Sequence, residues 1–203
     1  MTPQFFKIKV RSVTSGDWGD YGDILQHGMT AHSRRVNGRL SLERTGPYIP
    51  PVTLPGLSDI VLTDDARKLL ESSGLRGFTF RQVEKKLIVE LHWDAWDLNA
   101  EEPAQYPDSG EPEDYILGQQ HSPTAAMALG DLWELVVPFN VKISRPTPTV
   151  SSYKELQIDL DTWDGSDLLR GEEYGGKLFS ERARDWFSNQ WDQYVSFDPF
   201  PAA

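Results

Sequence analysis

Cysteine is absent from the chain, which excludes disulfide staples and thiolate metal sites. Long apolar runs are absent too, and no stretch approaches the ~18 residues of a membrane span. The opening Met1-Thr2-Pro3-Gln4-Phe5-Phe6-Lys7-Ile8-Lys9-Val10 lacks the extended apolar segment of a secretory signal, so the cytoplasm is the expected address.

Signatures of catalysis are equally scarce. The four histidines are His27, His32, His92 and His121, and the first two stand five apart with no third ligand close in sequence, unlike a zinc site. His92 precedes Trp93 in a strand-like segment and reads as a structural histidine. There is no Gly-x-Ser-x-Gly elbow, no phosphate-cradling glycine loop ending in Lys-Ser/Thr, and no His-Glu-x-x-His. Gly16 to Gly22 is rich in glycine but reads as a loop, without the strand-to-helix setting of a dinucleotide site. The expectation is therefore a protein that is not an enzyme, with no catalytic residue, cofactor or metal.

Basic residues are missing from one long stretch. Between Lys86 and Lys142 there is neither Lys nor Arg, while eleven acids fall there, equal to the whole net charge of −11. Outside that window twenty acids balance twenty bases. Nucleic acid and anionic membrane are poor partners for such a surface, because phosphate binding needs cations. A basic protein is a good one, since complementary potential speeds encounter and fixes orientation. The plainer alternative is a solvated acidic loop that serves only solubility.

Seven Trp, seven Tyr and nine Phe supply what a modest hydrophobic content of 38% does not, since each aromatic buries a large apolar area. Strand-like segments open at Phe5–Val10 and recur at Arg39–Arg44, Ile60–Leu62, Phe78–Val83, Leu87–Trp93, Leu132–Val137, Leu156–Leu160 and Tyr194–Phe197. Thr45 to Gly56 holds four prolines and is expected to be extended without regular pairing, and Arg145-Pro146-Thr147-Pro148 is expected to break a strand. Thr63 caps a first helix over Asp64, Ala66, Leu69 and Leu70 that ends near Gly74, and Ser180 opens a second carrying Trp186 and Phe187.

These two helical segments repeat one another. A shift of 117 positions lays 61–83 on 178–200 without a gap. Thr63 falls on Ser180, Asp64 on Glu181, Ala66 on Ala183 and Arg67 on Arg184. Leu69 and Leu70 fall on Trp186 and Phe187, and Phe78 and Phe80 on Val195 and Phe197, with Leu69/Trp186 and Phe80/Phe197 expected in equivalent buried positions. The expected fold is α+β, with mixed or antiparallel sheets and few helices, built from two similar strand–helix–strand units. The expected organisation is a single domain over 1–203 with repeat units at 60–83 and 177–200 and an acidic loop at about 97–123 between them.

Two polar clusters remain. Asp159, Asp161, Asp164 and Asp167 surround Gly165, but glycine at the seventh place and Arg170 at the twelfth depart from a calcium loop. Trp163, Asp164, Gly165 and Asp167 are expected to form a structural turn, with an Asp side chain bonded to local backbone. Trp93-Asp94-Ala95-Trp96-Asp97 is either a core-facing strand end or an aromatic anchor for a partner.

Several of these motifs together resemble a known family. Leu132-Trp133-Glu134-Leu135, Trp163-Asp164-Gly165-Ser166-Asp167-Leu168-Leu169-Arg170, Ser180-Glu181-Arg182-Ala183-Arg184-Asp185-Trp186-Phe187 and Val195-Ser196-Phe197 look like a family of bacterial immunity proteins. That family guards cells against polymorphic toxins delivered between neighbours and includes the group linked to myxobacterial swarmer exclusion. Thr63-Asp64-Asp65-Ala66-Arg67, with Gly74-Leu75-Arg76-Gly77-Phe78-Thr79-Phe80, is similar to its other recurring element. Some members carry paired Cys-x-x-Cys motifs suited to zinc; this chain has none, and no zinc site carries over. The resemblance implies tight binding and neutralisation of a cognate toxin. An acidic binder suits a basic toxin, for instance a nuclease, whose phosphate site it can occupy.

The resulting candidate contact surface comprises Trp96, Asp97, Glu101, Glu102, Tyr106, Asp108, Glu111, Glu113, Asp114 and Tyr115. The competing reading is a small hydrolase or transferase that uses carboxylates of the Asp159–Asp167 cluster, which would require a concave pocket at those acids.

Overall fold

The computed structural model describes residues 3–56, 58–144 and 156–202, with the backbone alone at 31–34. The elements of its first half are β1 (Phe5–Val10), α1 (Gly19–His27), β2 (Met29–Val36), β3 (Arg39–Gly46), β4 (Val52–Gly56), β5 (Asp59–Thr63), α2 (Asp64–Glu71), β6 (Thr79–Gln82) and β7 (Glu84–Glu90). The second half supplies α3 (Pro123–Ala128), β8 (Leu132–Val136), β9 (Ile143–Ser144), β10 (Gln157–Ile158), β11 (Leu168–Gly171), β12 (Tyr174–Ser180), α4 (Glu181–Trp191) and β13 (Val195–Phe200). The fold is α+β and dominated by sheet. Among the described residues no helix is long and apolar enough to cross a membrane.

The residues gather into two compact units. One comprises Met1–Val10, Leu69–Thr79 and Val136–Ala203; the other comprises Arg11–Lys68 and Phe80–Leu135. Each contains a four-stranded sheet, ordered β11-β12-β1-β13 in the first and β4-β5-β8-β6 in the second.

The two sheets share one plan. A hairpin leads into a helix, the helix leads to a further strand, and a strand from a distant part of the chain is inserted between the two. The inserted strand β8 runs antiparallel to β5 with Thr63 opposite Leu132 and Leu62 opposite Trp133. In the other unit β1 runs antiparallel to β12 with Ser180 opposite Phe5 and Phe179 opposite Phe6. Trp133 and Phe6 thus hold the same register relative to the residue that caps the next helix.

Local chemistry repeats at that point. The Ala66 amide donates to Thr63 Oγ1 at 3.3 Å, and the Ala183 amide donates to Ser180 Oγ at 3.2 Å. Each bond satisfies one of the donors left free in a first helical turn. Arg67 pairs with Asp64 at 3.1 Å, as Arg184 pairs with Glu181 at 3.3 Å. The Arg67 guanidinium lies 4.8 Å from the Trp133 ring centre, and that of Arg184 lies 4.2 Å from Phe6. One side chain in each unit therefore ties the helix start to the inserted strand, through an ion pair and a cation–ring contact.

The expected burial of Leu69 and Trp186 is corrected. Leu69 is 41% exposed and Trp186 only half-buried, whereas Leu70 and Phe187 are both fully buried. The cap sets the helical phase, and the positions three and seven residues after it face inward, as Ala66, Leu70, Ala183 and Phe187 do. Phe80 and Phe197, also expected in the core, are both half-buried.

Several elements were not anticipated. Gly16 to Gly22 contains the start of α1, which ends where Gly28, at φ +67°, lies so near Arg44 that a Cβ would stand 2.5 Å from its Cβ. The proline-rich connection contains β4, an edge strand in which Pro55 removes no indispensable pairing bond. β2 and α3 were missed as well, and the strand expected at Leu156–Leu160 shortens to β10 and a 3-10 turn at Leu160–Thr162. The break expected at Arg145–Pro148 lies outside the described residues.

Candidate functional site

Charge is divided unequally between the units. The second holds nineteen acids against ten bases, and so carries −9 of the −11. The basic-free stretch supplies most of this excess. Of its eleven acids, nine are exposed, Asp114 is half-buried and Glu134 is buried. Glu134 is neutralised by Arg35, whose guanidinium donates to both carboxylate oxygens. Among the described residues none of Asp97, Glu101, Glu102, Asp108, Glu111, Glu113 or Asp114 pairs with a Lys or Arg.

The segment carrying these acids is anchored. Tyr115 and Ile116 are buried in a cluster with Trp18, Leu25, Val89 and Trp93. Pro112 opens the 3-10 turn Pro112–Tyr115, where its fixed φ and missing N–H suit a helix start. The Tyr115 hydroxyl donates to the Gln105 carbonyl and that of Tyr21 to the Gly110 carbonyl, so each end of the intervening loop is held by a phenol. Burial, followed by the neighbouring Tyr106 and Tyr21, pushes the Tyr115 phenol up to about 12, which keeps it protonated and donating at neutral pH. Tyr21 also meets Tyr106 edge-on, with ring centres 4.9 Å apart.

The candidate contact residues therefore divide. Asp97, Glu101, Glu102, Tyr106, Asp108, Glu111 and Glu113 are exposed. Trp96 is half-buried against Trp18 and Tyr115, at centre distances of 6.1 and 6.3 Å. Tyr115, at 5% exposure, serves mainly packing and only borders the hollow beside it. A hollow of about 480 Å³ opens beside the segment, with Glu90, Asp108 and Asp114 supplying carboxylates and Tyr106 and Leu117 supplying apolar surface. Neither Lys nor Arg lines it. Glu111 and Glu113 border a second hollow, of about 430 Å³, shared with Asp20, Asp23 and His27. The sequence did not point to these three because only Gly16–Gly22 carries a local signal, that of a loop, and 23–27 declares no element; their spacing of three and four residues on one helical face was the available signal.

The Asp159–Asp167 cluster does a different job. Asp159 Oδ1 accepts from the Asp161 amide at 3.2 Å, and Asp164 Oδ1 accepts from the Ser166 amide at 2.9 Å. Hydrogen bonds from Ser166 hold the Asp164 carboxyl below its usual range. Gly165, at φ +81°, completes the turn, and Trp163 donates its ring N–H to the Ser166 carbonyl at 2.9 Å. Asp167 is buried and accepts from the Arg76 amide, Ser180 Oγ and Arg182 at 2.9, 3.1 and 3.1 Å. It thereby joins the loop after α2 to the cap of α4 within one unit. None of the four carboxylates lines either hollow already described or a third, of about 450 Å³, bordered by Phe139, Lys142, Glu172 and Glu173. Among the described residues no three His, Asp or Glu side chains are grouped to hold a metal ion.

The other histidines serve the backbone or solvent. His121 Nδ1 accepts from the Ile88 amide at 3.0 Å. His92 is exposed beside Glu90 just before a 3-10 turn, not within a strand as expected, because β7 ends at Glu90. The side chain of His32 lies outside the described residues.

The sequence matches no model of a known protein family, and no curated protein matches it.

Proposed function

We propose that the chain is an immunity protein, acting in the cytoplasm of the producing cell, which binds and neutralises a cognate secreted antibacterial toxin. The observation that carries this reading is the organised, uncompensated acidic face of the second unit. A solvated loop kept for solubility has no need of buried Tyr115 and Ile116, two phenol-to-carbonyl bonds and a proline-started turn. These contacts hold exposed carboxylates in fixed positions before binding, which lowers the ordering cost of association. Unpaired carboxylates beside Tyr106 and Leu117 suit a basic protein surface better than a nucleic acid or an anionic membrane. The motif resemblance gives the biological setting and the charge gives the sign of the partner.

The test is protection of growth. The product of the gene adjacent to this chain's own, the proposed toxin, is expressed in a susceptible cell, with and without the chain. The proposal expects growth only when the chain is present, with protection lost when Glu101, Glu102, Glu111 and Glu113 are all changed to Lys. Equal killing with and without the chain overturns it.

A further inference from the structure

The hollow beside α1 is built for more than general attraction. Asp20, Asp23 and His27 project from one face of α1, while Glu111 and Glu113 come from the acidic segment. Ile24, Met29, Leu54 and Pro112 supply apolar lining between these carboxylates, and neither Lys nor Arg lines the hollow. Partial burial, and next the negative charge of Asp20, raise the Asp23 carboxyl above its ordinary value.

A second observation points to an occupant independently of the acids. His27 is only 8% exposed yet lines this hollow. Its Nδ1 accepts from the Leu54 amide at 3.5 Å, and among the described residues its Nε2 has no partner. Burial, followed by the nearby Arg44 charge, lowers its pKa to about 4, so the ring is neutral and carries its proton on Nε2. The lining of the hollow thus combines the His27 ring, apolar side chains and carboxylate acceptors.

We infer that this hollow receives one arginine residue of the partner protein, its guanidinium held by Asp20, Asp23, Glu111 and Glu113 and a carbonyl of its backbone accepting from His27 Nε2. An arginine presents an apolar stem to Ile24 and Met29 while its planar fork addresses carboxylates arriving from two elements. A lone cation satisfies the acids but leaves the histidine donor unused. This inference rests on reading the acidic face as a protein-binding surface, and it names the residue that the face recognises.

The probe is Nα-acetyl-arginine N-methylamide, which carries the guanidinium and two peptide carbonyls, titrated into the isotope-labelled full chain and followed by NMR. Saturable shifts are expected at the His27 ring and at the Ile24 and Glu113 amides. The norleucine counterpart, with the same backbone and no charge, binds at least tenfold more weakly. The double variant Asp23→Asn/Glu113→Gln loses the response while keeping the spectrum of the folded protein. Absence of a saturable shift at His27, an equal response to norleucine, or an unchanged response in the double variant overturns the inference. The titration needs no toxin, so its failure is separable from that of the immunity reading: growth protection with a silent His27 removes only the arginine receptor, and a responsive hollow without growth protection removes only the immunity role.

Discussion

The two sheet–helix units carry the same framework and differ in what hangs from it. In both, a hydroxyl caps the helix, the first-turn acid pairs with an Arg three residues on, and that Arg covers an aromatic ring of the inserted strand. The inserted strand arrives differently. Near the C-terminus it is β1, supplied by the start of the chain. In the other unit it is β8, reached only after β7, the acidic segment and α3 have been traversed. The exposed, unpaired carboxylates lie on that detour. The difference teaches that the repeated part answers for the framework, and the proposed recognition role falls to the unrepeated part, since a connection that leaves a sheet and re-enters it can vary without disturbing the sheet.

If the framework is equivalent, equivalent substitutions should hurt alike. The largest effects belong to the buried pair: Phe187→Ala is expected to cost about 3–5 kcal/mol and Leu70→Ala about 2–5 kcal/mol, measured by denaturant unfolding. A loss under about 1 kcal/mol at one site beside a full loss at the other breaks the equivalence. The caps sharpen it on a smaller scale. Thr63→Ala and Ser180→Ala should each cost ~1 kcal/mol in the same assay, because each removes one side-chain acceptor from a helix start. Ser180 also donates to buried Asp167, so its loss should be the greater of the two.

Much of the framework was legible because it is written locally. Thr63 and Ser180 stand immediately before first-turn acids, and helix phase then follows from the positions of Ala66, Leu70, Ala183 and Phe187. What pairs with those strands was not legible, since Phe6 and Trp133 reach their places through contacts distant in sequence. α1 was obscured by Gly19 and Gly22, poor helix formers that local geometry favours here: Gly19 has φ +52°, and a Cβ on buried Gly22 would lie 3.2 Å from the Trp18 Cβ. The acids of 97–114 were visible as a charge run, but the inward turn of Tyr115 was not, because a loop aromatic has no periodicity to declare its direction. The hollow around His27 was invisible for a third reason: its walls come from α1, β4 and the Glu111–Glu113 stretch, three segments with no sequence neighbour in common.

The recognition role proposed for the acidic face is tested most directly by association kinetics with the proposed cognate toxin. The quadruple variant Glu101→Lys/Glu102→Lys/Glu111→Lys/Glu113→Lys is compared with the unaltered chain at ionic strengths of about 0.01 M and about 1 M, between which the screening length falls from ~30 to ~3 Å. A thermal melt verifies that the variant is folded. Steering by these carboxylates predicts association at least tenfold slower for the variant at low salt, and a gap that closes at high salt. An unchanged rate for a folded variant at low salt would contradict that role and leave the segment a solvated acidic loop.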